Sequence, residues 1–197
     1  MEAYEAYLFD LYGTLADIHT DEDQPSHWMR MAGLLAPHGA VYRPRALRDA
    51  YLRAVREAEA RLLERDRGIP GACPEIDLGE VFRRLYREAG ADPTPEQIAE
   101  TAWAFRRSST THLRLYAGAR ALLDVLRERG QVLLLSNAQS LFTRPELELL
   151  GIADAFDGIF ISSEAGCRKP DPRFFRLALA QRGLDPSRCL MIGNDPV

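Results

Sequence analysis

Four short apolar runs, Tyr4–Phe9, Gln131–Leu135, Gly158–Ile161 and Cys189–Ile192, each stop at a cluster of small polar residues. The clusters are Asp10/Tyr12/Thr14, Ser136/Asn137, Ser162/Ser163 and Asn194/Asp195. Runs this short and this apolar read as strands buried on both faces. A helical stretch precedes each of the last three: 118–129 closed by Gly130, about 143–150 closed by Gly151, and Pro172–Gln181 closed by Gly183, glycine being the usual residue just past a helix end. Strands alternating with helices predict an α/β fold with a doubly wound parallel sheet. In open sheets of this class ligands bind at the carboxyl ends of the strands. Any one polar strand end can be a plain turn, but four of them can converge on one site.

After Asp17 the texture changes to an Arg- and Glu-rich helical block, with no strand expected until about residue 131. Four helices are predicted in it, over Pro25–Pro37, Pro44–Asp66, Asp77–Ala89 and Thr94–Ser108, the first two with proline at a favourable first position. In the second, Leu47, Tyr51, Ala54, Ala58 and Leu62 share one face. Thr94-Pro95-Glu96-Gln97 carries a capping-box pattern, and the Gly- and Pro-rich stretch from Gly68 to Pro74 breaks the block in two. The expected organisation is a core of residues 1–17 and 113–197 with an inserted α-helical cap over 18–112. The cap's charges nearly balance, 14 arginines against 15 Asp and Glu, and single out no substrate.

A net charge of −4 gives no electrostatic reason to expect nucleic acid or an anionic membrane as partner. The three cysteines, Cys73, Cys167 and Cys189, are odd in number and widely spaced, which suits a reducing compartment rather than a disulfide framework or a metal site. The N-terminus lacks the basic and apolar regions of a secretory signal, and no apolar run approaches the ~20 residues that span a bilayer. A soluble cytoplasmic protein acting on a small molecule is expected. His19, His27, His38 and His112 have no ligand-like spacing and read as packing or surface residues, as do Trp28 and Trp103. Of 25 basic residues 24 are arginine, and the one lysine, Lys169, sits in the loop before the last helix.

The apolar strand running into Asp10-Leu11-Tyr12-Gly13-Thr14-Leu15 resembles the first motif of the haloacid dehalogenase-like hydrolase superfamily. Ser136-Asn137 resembles its second motif, Arg168-Lys169-Pro170-Asp171-Pro172 its third and Gly193-Asn194-Asp195 its fourth. The resemblance implies a Rossmann-like core with a helical cap of the first subclass. It implies Asp10 as covalent nucleophile and Lys169 as the cation set against it. Thr14 can hydrogen-bond the turn or a substrate oxygen, and Ser136 Oγ and its neighbouring backbone N–H can donate to a phosphoryl oxygen, with Asn137 orienting the turn. Asp10, the backbone carbonyl of Tyr12, Asn194 and Asp195 would supply a Mg²⁺ shell. A carboxylate nucleophile suits such chemistry because it splits one hard displacement into two easier ones.

Two features depart from that pattern. Tyr12 stands where the superfamily's phosphatases carry a second Asp for proton transfer; a tyrosine, with a pKa near 10, is a poor base at neutral pH. Tyrosine there resembles the metal-independent 2-haloacid dehalogenases, for whose cap pocket only Trp28-Met29-Arg30 and Tyr42-Arg43 offer candidates. The chain also stops at Val197, before the acidic residue, helix and strand that follow the fourth motif in the family, which reads as a truncated C-terminal end. The expected activity is a Mg²⁺-dependent phosphatase on a small phosphorylated metabolite, with a dehalogenase or a weakly active binding protein as alternatives.

Overall fold

Ala6, Tyr7, Leu8 and Phe9 are all buried, and a strand with no wet face has to be paired on both edges and covered on both faces. That requirement organises one half of the molecule. The computed structural model describes residues 4–194. Along it, β1 (Ala6–Phe9) and β2 (Ala16–Thr20) precede α1 (Pro25–Leu35), α2 (Pro44–Arg65), α3 (Leu78–Glu88) and α4 (Pro95–Ser109). Then come β3 (Thr110–Leu115), α5 (Ala119–Arg127), β4 (Gln131–Ser136), α6 (Ser140–Leu149) and β5 (Gly158–Ile161). The short α7 (Ser162–Ala165), α8 (Pro172–Arg182) and β6 (Cys189–Ile192) follow.

The described chain forms two compact units. The sheet unit falls within Met1–Ile18, Gly68–Glu75 and His112–Val197; the helical unit is His19–Arg67 with Ile76–Thr111. Residues 68–75, in the middle of the stretch expected as cap, therefore pack with the sheet unit.

In the sheet unit four parallel strands lie in the order β5-β4-β1-β6. β1 sits inside, with Leu8 opposite Leu133 on one edge and Met191 on the other. Strand alternation sends Tyr7, Phe9, Val132 and Leu134 to one face, where they meet Ala119 and Leu123 of α5 and Leu147 of α6. Ala6, Leu8, Leu133 and Leu135 go to the other, against Phe174 and Ala178 of α8. Helices thus cover both faces, as a doubly wound sheet requires. Gly130, just before β4, is demanded by close approach: a Cβ there would lie 2.5 Å from the Glu5 carbonyl oxygen, the same oxygen that accepts the Gln131 N–H at 2.8 Å.

The strands expected at Gly158–Ile161 and Cys189–Ile192 form with those bounds, and the helix ends fall within a few residues of expectation. One expectation is corrected. The stretch between Asp17 and residue 131 does contain strands, because β2 and β3 pair as a two-stranded sheet. Their sequences are mostly polar and only partly buried, so they carry little of the apolar signal by which a strand is recognised.

The helical unit is built on aromatic packing. Trp28 of α1, Tyr51 of α2, Phe82 of α3 and Phe105 of α4 are all buried, with Tyr51 and Phe105 ring centroids 5.1 Å apart. Thr94 and Gln97 complete the expected capping box at the start of α4. The far end of α2 is wetter than its periodicity predicts, since Ala58 and Leu62 are only half-buried. His27 is fully buried, edge-on to Trp28 and Phe105. Its Nδ1 meets Ser108 Oγ at 2.7 Å, and its Nε2 has no hydrogen-bond partner.

That surrounding makes stability pH-dependent. Burial, aided by Arg30, pushes the His27 imidazole from 6.5 down to about 4, so between those values the unfolded chain binds a proton that the folded one refuses. The contribution is nil above the unfolded pKa and becomes a loss as pH falls through the window, about 3 kcal/mol once complete. Urea unfolding at pH 7 and pH 5 is expected to show a loss of about 2 kcal/mol from this residue, and His27→Gln is expected to remove that part of the difference.

Candidate active site

The turn after β1 is wound around one carbonyl. Leu11 O accepts from the N–H groups of Thr14, Leu15 and Ala16 at 3.2, 2.8 and 2.9 Å, while Gly13 N–H donates to Ala16 O at 2.8 Å. Gly13 takes φ +79° to allow this, in the left-handed region where a side chain is strained. A Cβ there would also lie 2.4 Å from Asn194 Nδ2, so the turn after β6 is packed directly on the turn after β1. The Asp10 N–H donates to Ile192 O at 2.9 Å, which ties the same two strand ends together.

Asp10 is 8% exposed, and its Oδ1 accepts from Lys169 Nζ at 2.8 Å. No described residue donates a hydrogen bond to the other carboxylate oxygen, Oδ2. A carboxylate with one oxygen held by a cation and the other open is equipped to attack an electrophile or bind a metal. The two most specific expectations from sequence, Asp10 and the sole lysine, are thus in direct contact.

Lys169 is held by its backbone. Asn137 Nδ2 donates to Lys169 O at 3.0 Å, and Lys169 N–H donates to Asn137 Oδ1 at 2.7 Å. The asparagine at the end of β4 therefore reads the lysine's peptide group from both sides, in keeping with an orienting part. Ser136, its neighbour, is fully buried and its Oγ has no hydrogen-bond partner. An unpaired buried hydroxyl costs about 1–3 kcal/mol. Thr14 Oγ1 reaches Asn194 Oδ1 at 3.5 Å. Asp195 lies outside the described residues.

Asp171, two residues beyond the lysine, is 1% exposed and caps α8 by accepting from Arg173 N–H at 2.9 Å. The Arg173 guanidinium, with further help from the Cys73 N–H, holds its carboxyl down to about 2. Through Cys73 and Arg173 it anchors the loop by contacts other than those of Asn137.

Tyr12 does something the sequence did not suggest. Its hydroxyl donates to the carboxylate of Glu146 and lies 3.1 Å from Thr143 Oγ1, both on α6. Glu146 is 1% exposed, and the Tyr12 ring packs against the core cluster on that face. The phenol is committed to a buried carboxylate. Trp28 and Tyr42, the candidates for a dehalogenase pocket, are likewise engaged within the helical unit: Trp28 Nε1 donates to Glu22 O at 2.7 Å and Tyr42 Oη to Leu85 O at 2.6 Å. Glu75, Glu146 and Ser162 belong to the site's support but were not singled out as site residues. Ser162 had a signal, its place in a strand-end cluster. The two glutamates had none, because their partners lie 87 and 134 residues away.

Among the described residues no group of three or more His, Cys, Asp or Glu could hold a metal ion. The described oxygen donors at this end of the sheet are the Asp10 carboxylate and the Asn194 side-chain amide, which packs on the Gly13 turn. Hard oxygen donors of that kind suit Mg²⁺, which needs only one or two carboxylates beside water and substrate oxygens.

The sequence profile of the haloacid dehalogenase-like hydrolases matches residues 4–197. The chain is 41% identical over 117 residues to a phosphoserine phosphatase of Thermus thermophilus, a match covering 59% of this chain and 46% of that protein. It is 28% identical over 193 residues to an N-acetylmuramic acid 6-phosphate phosphatase of Pseudomonas aeruginosa, covering 97% of this chain and 74% of that one. The matched stretch is thus about half the length of the Thermus relative. The crystal structure of a haloacid dehalogenase family enzyme from Bacteroides thetaiotaomicron superimposes with a TM-score of 0.59 over 98% of this chain and 86% of its own. At 18% identity that likeness is one of fold.

The Tyr12 contact makes a prediction. Tyr12→Phe takes a donor from a buried carboxylate and is expected to lower stability by about 1–3 kcal/mol in thermal or urea unfolding. Unchanged stability together with lost turnover would assign the hydroxyl to chemistry instead.

Proposed function

Because the chain belongs to the haloacid dehalogenase-like hydrolases, we propose that it is a phosphatase that transfers the phosphoryl group of a small phosphorylated metabolite to Asp10 and then to water. The observation that carries this reading is the 2.8 Å contact of Lys169 Nζ with Asp10 Oδ1, beside an Oδ2 that no described residue occupies. Asp10 attacks phosphorus, the bond from phosphorus to the leaving oxygen breaks, and that oxygen takes a proton from solvent. Water then attacks the acyl phosphate, releasing inorganic phosphate and restoring the carboxylate. Lys169 stabilises the negative charge shared between the carboxylate and the transferring group, and the Ser136 hydroxyl and Thr14 donate to its oxygens. Asp10, the Tyr12 carbonyl, Asn194 and Asp195 would hold Mg²⁺, whose charge offsets the repulsion between carboxylate and phosphate.

In this reading the helical unit is the cap that excludes water and selects substrate. No described helix is long and apolar enough to cross a membrane, and the three cysteines are free thiols. Both facts suit action in the cytoplasm on a dissolved metabolite. A second reading has one observation in its favour. The Tyr12 hydroxyl is turned onto Glu146, and a halide, unlike an alkoxide, leaves without needing a proton.

A panel of phosphorylated metabolites assayed with Mg²⁺ separates the readings. Phosphate release is expected from the wild type, abolished by chelator and reduced on the order of 10³-fold or more by Asp10→Asn. Release unaffected by Asp10→Asn would refute the phosphatase reading. Chloride freed from 2-chloropropionate in the presence of chelator would establish the dehalogenase.

A further inference from the structure

Lys169 can serve Asp10 only if its backbone is held in place, and that support comes from two directions. The loop between α7 and α8 contains two prolines, Pro170 and Pro172, which have no N–H to give. Within it, Asp171 N–H donates to Arg168 O at 2.9 Å. Every other backbone group has to find a partner elsewhere. Asn137 takes the N–H and C=O of Lys169 itself.

The second support is residues 71–75, which interrupt the helical insertion and pack with the sheet unit. Pro74 and Cys167 face each other as an isolated antiparallel bridge. Arg168 N–H donates to Cys73 O at 2.8 Å, and Glu75 N–H donates to Gly166 O at 3.2 Å. Bonds of this pattern flank the paired residues and ask nothing of their own N–H groups, so a proline fits at the centre. Cys73 N–H then donates to Asp171 Oδ2 at 2.9 Å. Near Gly71 a side chain would already meet Pro172, 3.4 Å away. The strap grips the lysine loop on both sides of residue 169.

Glu75 extends the grip to the other support. Its side chain is 10% exposed. Its Oε2 accepts from Ser162 Oγ at 3.0 Å, a hydrogen shared with Ala138 O at 3.1 Å, and its Oε1 lies 3.5 Å from Gln139 Nε2. Ser162 Oγ in turn accepts the Ala138 N–H at 2.8 Å, and Ala138 directly follows Asn137. One carboxylate therefore links the strap to the turn that clasps Lys169.

We propose that Glu75 is a positioning residue for Lys169: through Ser162 and the Cys73–Glu75 strap it fixes both supports of the loop that brings the ammonium to Asp10. The catalytic consequence rests on the phosphatase reading; the mechanical one does not. A displacement of about 1 Å at such a group costs roughly 10²-fold in rate.

Lys169 is the only lysine in the 197-residue chain, so that chain grown with lysine labelled at its α-nitrogen gives one backbone amide signal from that residue. Its hydrogen-exchange rate reads the opening of the loop directly. Glu75→Ala and Ser162→Ala are each expected to speed that exchange about tenfold or more with the melting temperature little changed. Glu75→Gln, whose amide oxygen can still accept from Ser162, is expected to stay near wild type. If Glu75→Ala does not fold, Ser162→Ala decides the matter. An amide that exchanges at the wild-type rate in the folded variant overturns the proposal.

Activity supplies the second readout. In Glu75→Ala, kcat is expected to fall about 10–100-fold with KM little changed. Added to Lys169→Ala, the same change is expected to cost nothing further, whereas a merely structural residue would add its own penalty. If the wild type releases no phosphate from any substrate, the phosphatase reading fails while the exchange rates still judge the strap.

Discussion

Everything in the sheet unit bears on one contact, the 2.8 Å ion pair between Asp10 and Lys169. Both side chains are nearly buried, at 11% and 12% exposure, and charges taken that far out of water stay ionised together only when the geometry is good and the surroundings are polar. Removing one partner of such a pair typically costs about 3–5 kcal/mol. Several separate stretches of chain meet that demand. The parallel register of β1 with β4 and β6 brings the Asp10 turn beside Asn137 and Gly193. Asn137 clasps the lysine's peptide group. Cys73–Glu75 and Asp171 hold the flanks.

The same contact explains what could be read from the sequence and what could not. Asp10 and Lys169 stood out because each is marked locally: one ends the first apolar run, and the other is the single lysine in an arginine-rich chain. The parallel sheet was readable for a similar reason, since strands buried on both faces carry an unbroken apolar signal. Polar, half-wet β2 and β3 carry none, and the four-residue α7 is too short to show a period. Glu75 and Glu146 were invisible because a glutamate in a loop or on a helix looks solvated until the fold supplies its partner.

Tyr12 shows how a local anomaly in the sequence can have a remote cause. Compared only with its neighbours it looks like a missing acid next to the nucleophile. In the fold its hydroxyl serves a buried glutamate on α6, so the residue joins the turn after β1 to the helix that covers that face of the sheet. The position therefore has a packing and hydrogen-bonding reason to be tyrosine. The helical unit is organised differently, around edge-on and tilted aromatic rings and the neutral His27, with the polar atoms of Trp28 and Tyr42 spent on backbone carbonyls.

As a phosphatase of this kind, the protein would form a covalent bond between Asp10 and the group it removes. Rapid-quench mass spectrometry of the peptide containing Asp10, taken during turnover of a phosphorylated substrate, tests it most directly. A phosphoryl adduct on Asp10 is expected to appear with release of the leaving alcohol and to decay at the rate at which phosphate is formed. Phosphate release with that peptide unmodified at every time point, under conditions that trap an acyl phosphate, would contradict it.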